Sequence, residues 1–330
     1  MAEPARKARV GEPSLPDRDL VEVAEPPPDR RSPGGMAWRR FGRNRAAALS
    51  AWLLLGLVAI VALGPWLSPY APEAFAGAQF EPPSWQHWCG TDVHGRDLLT
   101  RVLHGARLSL LVGLVGTAVS LVIGVTWGAV AGYAGGRLDG FLMRTVDVLY
   151  AMPTLVFVIV VVTVLNGWIA RWESTGGWVV PAGWVRMTGL FVGIGAVSWL
   201  TMARIVRGEV LSLRTRPFVE ASRALGAGHV RILFRHILPN VSGVIIAYLA
   251  LTVPGVMLYE SFLSFLGLGI QPPQASLGSL IAEGAAQINP TRIYWWVVLV
   301  PGSALLSLLL ALNFVGDGLR DAFDPRAPGS

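Results

Sequence analysis

Cysteine, lysine and charge are all scarce in this chain of 330 residues. Cys89 is the one cysteine, so no disulfide can close within the chain. Lys7 is the one lysine, and the rest of the 27 basic residues are arginine. A nucleotide-binding P-loop needs a lysine after its glycine-rich turn to reach the phosphates. This chain is therefore not a conventional P-loop ATPase, and any ATP that drives it is spent by a partner. Charged residues make up 15% of the chain, against about 25% in soluble domains. No CxxC, HExxH or GxGD run is present, so the usual spacings for zinc sites and intramembrane aspartyl proteolysis are missing.

Apolar residues are abundant. They form 53% of the chain, the mean hydropathy is +0.52, and there are 38 Gly, 23 Pro and 13 Trp. They gather in six blocks, at 46–67, 108–131, 143–165, 188–208, 241–267 and 294–316. Each is long enough to cross a hydrocarbon layer of ~30 Å as a helix. Several lack the polar stripe that a helix of a soluble core shows to water. The expectation is an all-α membrane protein with six transmembrane helices.

The net charge of +6 and pI near 10.1 fit a membrane protein better than a nucleic-acid binder. With the N-terminus inside, fifteen arginines fall on the inner side, among them Arg137, Arg144, Arg204, Arg207, Arg214, Arg216, Arg223, Arg231 and Arg235. Six fall outside: Arg96, Arg101, Arg107, Arg171, Arg186 and Arg292. That asymmetry places both termini in the cytoplasm of a multi-pass protein.

Residues 1–37, rich in proline and mixed charge, read as a disordered cytoplasmic tail. The first block follows Arg45 without a small-residue cleavage site and reads as an uncleaved span. Residues 38–107 hold this span and a first outer segment, 68–107; residues 108–318 hold the other five spans; residues 319–330 form an inner terminus. Outer segments are expected at 166–187, with Trp168, Trp172, Trp178 and Trp184 at the membrane boundary, and at 268–293. Gly124, Gly128, Gly132 and Gly136 recur every four residues, the small-xxx-small spacing that brings two helix backbones together.

The inner loop 209–240 is the most informative segment. Pro217 suits a helix start, because its missing N–H is not needed in the first turn. Gly226 suits a helix end, where the backbone takes positive φ. A second helical run, His229 to Ile237, is expected to break at Pro239. The thin helix between Pro217 and Gly226 fits either a groove on another protein or the lipid headgroup layer.

Glu220-Ala221-Ser222-x-x-x-Gly226, followed by Ile237-Leu238-Pro239-Asn240, resembles the EAA loop (217–240) of ABC importer permeases. Ser222 stands where a second alanine is usual. The outer run Gly90-Thr91-Asp92, Gly95-Arg96-Asp97, Arg101 and Gly105-Ala106-Arg107-Leu108-Ser109 is similar to a signature of the "C" permease subunit of dipeptide and oligopeptide importers, with Thr100 in place of serine. Ser198-Trp199 with Met202 to Gly208, Glu260 to Gly269, and Gly316 to Ala322 with Asp324-Pro325 extend the likeness.

The resemblance implies the type I ABC importer transmembrane fold, in a bacterial or archaeal cytoplasmic membrane. It implies a coupling helix, carried by Glu220, Ala221, Ser222, Gly226 and Pro239, that docks on an ATP-binding subunit. It also implies a second permease subunit, two ATP-binding subunits in all, an extracytoplasmic substrate-binding protein and a peptide cargo, with another cargo such as nickel complexes, carried by similar permeases, as the alternative. No catalytic residue, bound cofactor or metal is implied, ATP being used by the partners. Two other classes stay open on the residues alone. His87, Cys89, Asp92 and His94 could hold a metal in a membrane enzyme. Glu260, late in the fifth block beside Tyr259, could serve an ion-coupled carrier or line a pathway, or could bond a neighbouring helix.

Overall fold

The computed structural model describes residues 41–175 and 182–323. The expected tail 1–37, Arg39, Arg40, Trp178, Asp324, Pro325 and Arg326 lie outside the described residues. The fold is all-α, with two isolated bridges, Thr91–Asp97 and Asn289–Arg292, among the described residues.

Helix α1, Arg45–Leu67, starts at Asn44, whose side-chain oxygen accepts from the Ala47 amide at 3.2 Å. Helix α2, Leu98–Ala134, is 37 residues and so ~55 Å long, more than a bilayer core requires. It ends at Gly135, and Gly135 and Gly136 both take positive φ, 64° and 57°. This corner sends the chain into α3, Gly136–Tyr150, an amphipathic helix. Helix α4, Thr154–Ser174, and α5, Ala182–Leu213, follow. Next come α6, Pro217–Ala224, and α7, His229–Ile232. A π-helical turn, Leu233–Ile237, leads into α8, Leu238–Phe265. Helix α9, Leu277–Ala285, and α10, Trp295–Phe323, complete the chain.

Among the described residues five helical stretches are long and apolar enough to cross a membrane: Arg45–Trp66, Leu98–Ala134, Thr154–Trp172, His229–Phe265 and Trp295–Phe323. The block 188–208 lies inside α5, which is not among these five stretches.

Two sequence expectations need correction. The block 143–165 is not one helix: the chain breaks at Ala151–Pro153, between α3 and α4. Pro153 cannot continue a hydrogen-bonded turn and disfavours helix in the residue before it. Within 166–187, α4 runs on to Ser174 and α5 begins at Ala182. Pro239 does not break the chain before the fifth span. It sits in the first turn of α8, where its missing N–H is tolerated, and the π-turn before it keeps the helix continuous.

Helix α2 packs along α5 more extensively than any other pair, through the glycine stripe. A Cβ on Gly124 would lie 2.6 Å from the Met202 Cβ, and one on Gly132 2.8 Å from the Arg207 carbonyl oxygen. One on Gly128 would strike the Ala203 backbone. Gly136 faces open space at the corner and is not part of the stripe.

Buried apolar clusters follow the bundle from end to end. One joins Leu98 and Val102 of α2 to Leu277, Leu280 and Trp296. A second joins Val112, Val158, Ile194 and Leu263. A third joins Met202, Val206 and Val210 of α5 to Val219, Ile232 and Ile237, and so ties the α6–α7 loop to the bundle.

Candidate functional site

The loop 217–240 is built as its residues dictate. Pro217 occupies the first turn of α6. Gly226 has φ 77° and turns the chain out of it, with the Ala227 amide donating to the Ser222 carbonyl at 3.0 Å. Val219 is fully buried and is the peg that holds α6 on the bundle. The opposite face is bare. Glu220, Ala221 and Gly226 are exposed, as are Leu225 at 88% and Val230 at 71%. Glu220 makes no ion pair among the described residues. The Ser222 hydroxyl donates to the Phe218 carbonyl at 2.8 Å, so serine is accommodated here within the helix itself.

Sequence reading missed how this loop meets α2. The Tyr133 hydroxyl lies 2.9 Å from His229 Nδ1, and the Arg223 guanidinium lies over the Tyr133 ring at 5.7 Å. Arg214 donates to the Gly132 carbonyl at 3.3 Å, capping the same helix end. Nothing in the local sequence marks Tyr133, which is separated from His229 by nearly a hundred positions.

The run Gly90–Asp97 forms a polar knot at the Leu98 end of the bundle. Gly90 and Gly95 take φ 76° and 74°. A Cβ on Gly90 would meet the Glu81 carbonyl at 2.5 Å and the Trp296 ring at 2.9 Å. The Thr91 hydroxyl accepts from the Glu81 amide at 2.8 Å and donates to the Ala78 carbonyl at 2.7 Å. Asp92 Oδ1 accepts from the His94 and Arg96 amides at 2.7 and 2.9 Å; Oδ2 accepts from Arg96 Nε at 2.7 Å and from Arg101 at 2.6 Å. Asp97 caps α2 through the Thr100 amide at 2.9 Å and accepts from His87 Nδ1 at 2.9 Å. Arg101 also reaches Glu283 of α9 at 2.6 and 3.2 Å, a partner that no sequence signal announced.

Burial pushes the Asp92 carboxyl up, yet the Arg96 and His94 amides and the Arg101 and Arg96 guanidinium groups outweigh it and hold the carboxyl below its ordinary value. His87 and Asp92 thus face different partners, and among the described residues no group of three or more His, Cys, Asp or Glu is placed to hold a metal ion.

Glu260 and Tyr259 diverge. Glu260 is fully buried, and its carboxylate accepts from Ser264 at 2.6 Å, Ser109 at 3.0 Å and Ser261 at 3.4 Å. Ser109 in turn accepts from the Leu277 amide at 3.2 Å, at the start of α9. Glu260 therefore joins α2, α8 and α9, the arrangement in which it bonds a neighbouring helix. Tyr259 is half-buried against the second apolar cluster, on another side of α8.

The chain matches the profile of the family described as binding-protein-dependent transport system inner membrane component over residues 124–328, well over half its length. It matches that of the N-terminal TM domain of oligopeptide transport permease C over residues 32–83. It is 40% identical to the oligopeptide transport system permease protein OppC of Haemophilus influenzae, over 93% of this chain and 95% of that protein. It is 40% identical to the dipeptide transport system permease protein DppC of Bacillus subtilis, over 88% of this chain and 85% of that protein. The MetNI methionine ABC transporter, solved in inward-facing conformations, shares the fold with a TM-score of 0.53 at 19% identity, over 68% of this chain and 97% of that one. The chain belongs to the binding-protein-dependent transport system inner membrane component family, as a permease of the OppC and DppC type.

Proposed function

We propose that this permease forms half of the pathway by which an ATP-driven importer brings peptides into the cell, and that α6 is its coupling helix. The carrying observation is the build of the 217–226 segment: a short helix pegged by buried Val219, with Leu225 at its end 88% exposed. Exposed apolar side chains on a helix outside the apolar spans favour a protein groove over water. Peptide is the named cargo of the OppC and DppC relatives, and the lack of a P-loop lysine puts ATP hydrolysis on partner subunits. The assembly would hold a second permease subunit, two ATP-binding subunits and an extracytoplasmic substrate-binding protein.

In this reading α5 is the sixth span. Its 32 residues are long enough, and it packs against α2, α4 and α8. The arginine asymmetry then puts α6, both termini and the tail 1–37 in the cytoplasm, with 319–330 as the inner end of the chain and Gly90–Asp97 outside. Closure of the ATP-bound partners moves α6, and the third apolar cluster together with Tyr133 passes that movement to α5 and α2. The bundle then switches between two packings and does not act as a fixed pore.

Reconstituted with its partner subunits, the transporter should take up labelled peptide only with ATP. Uptake by the purified chain alone under an ion gradient would favour the carrier alternative.

A further inference from the structure

Helix α3 presents two faces to different surroundings. Asp139 and Val146 are buried, with Met143 and Leu149 half-buried beside them, against Trp199, Leu200 and Ala203 of α5 and Trp127 of α2. Two ion pairs fasten this side. Arg207 binds Asp139 through two hydrogen bonds, at 2.5 and 2.7 Å, and Arg204 binds Asp147 at 2.7 Å while lying 3.9 Å above the Tyr150 ring.

The other face is uncovered and carries apolar and basic residues together. Phe141 is 70% exposed, Val148 55% and Leu138 47%. Arg137 and Arg144, seven positions apart and so on the same side as Phe141 and Val148, are exposed and have no acidic partner among the described residues. The acids of this helix, Asp139 and Asp147, are already taken by α5. The outward charge is therefore positive. The helix joins the span ending at Ala134 to the span beginning at Thr154 through the Gly135–Gly136 corner.

We propose that α3 lies in the plane of the membrane surface and binds anionic phospholipid. Arg137 and Arg144 meet the headgroup phosphates, and Leu138, Phe141 and Val148 enter the boundary between headgroups and acyl chains. A surface that mixes arginine with large apolar groups along a short amphipathic helix suits a lipid interface, where both are satisfied at once. The assignment to the inner leaflet rests on the topology proposed above.

The test uses the complete transporter in nanodiscs of phosphatidylcholine, with or without phosphatidylglycerol. A nitroxide is attached at Phe141→Cys in a Cys89→Ser background. The label should sit in the interface, about 5–10 Å deep, accessible to oxygen and shielded from a water-soluble nickel chelate. Spin-labelled phosphatidylglycerol should be enriched around the protein, and Arg137→Gln with Arg144→Gln should lower that enrichment by about fivefold per arginine. A label open to water overturns the proposal. So does a label hidden from both reagents, which would mean that another subunit covers the face, and so does an enrichment unchanged in the double variant. Sidedness is read separately, from modification of Arg216→Cys, in the Cys89→Ser background, by an impermeant thiol reagent on sealed vesicles. Modification from outside would sink the topology and leave the lipid contact to be judged by the other readouts.

Discussion

The Tyr133 hydroxyl stands 2.9 Å from His229 Nδ1, at the point where the end of α2 meets the loop that carries α6. The same ring lies under Arg223, which belongs to α6 itself. A displacement of α6 is thus felt directly by α2, and through the glycine stripe by α5. Tyr133→Phe keeps the ring and its cation–π contact and removes one hydrogen bond, worth ~1 kcal/mol. The expected outcome is a folded transporter with normal basal ATP hydrolysis and peptide uptake lowered a few-fold per ATP. Unchanged stoichiometry would separate Tyr133 from the relay.

Glu220→Lys reverses the one acidic charge of α6, and Gly226→Val places a β-branched residue at φ 77°, at a cost of ~1–2 kcal/mol. Both changes should leave the protein inserted and assembled on the membrane while hydrolysis no longer drives uptake. Comparing ATPase rate with transport rate in the same vesicles reads this directly.

Glu260 is a test of bonding between helices. Glu260→Gln can still accept from the surrounding serines and should cost about 1 kcal/mol. Glu260→Ala strips the buried hydroxyls of their acceptor and should cost about 3 kcal/mol. Thermal unfolding of the purified transporter should rank the two in that order. Equal stability of Glu260→Ala and the unaltered protein would remove the carboxylate from the packing account.

The knot around Asp92 carries a pH signature. A carboxyl held below its ordinary value contributes stability that is fully present above the unfolded-state pKa of about 3.9 and is lost as pH falls through the folded value. Amide exchange in the segment 76–97 should therefore be slow at neutral and mildly acidic pH and quicken below about pH 3.9. Asp92→Asn should already exchange faster at neutral pH. Arg101→Gln, which unpairs both Asp92 and Glu283, should loosen the segment by about 3 kcal/mol.

Much of this architecture could be read from residue order alone. Apolar runs located five spans, Pro217 and Gly226 bounded α6, and the four-residue glycine spacing found the α2–α5 seam. Hydropathy did not show that 143–165 is two helices, because an apolar average hides which face each residue takes; Pro153 and the charged Arg144 and Asp147 within the block were the signal. Pro239 misled for the opposite reason, since a proline in a first turn breaks nothing. The contacts that define the site were out of reach. Glu260 with Ser109, Arg101 with Glu283 and Tyr133 with His229 join positions about a hundred or more apart, and only the packing of the helices brings them together.

The central claim is that α6 is the point at which ATP-binding partners drive this bundle. It is tested most directly by a photo-cross-linker at Leu225, the most exposed apolar residue of the loop, in the assembled, membrane-embedded transporter. The account predicts a covalent product with an ATP-binding subunit, altered in yield when ATP is bound. Labelling of Leu225 from the outer face of the membrane, or a product with lipid alone, would contradict it.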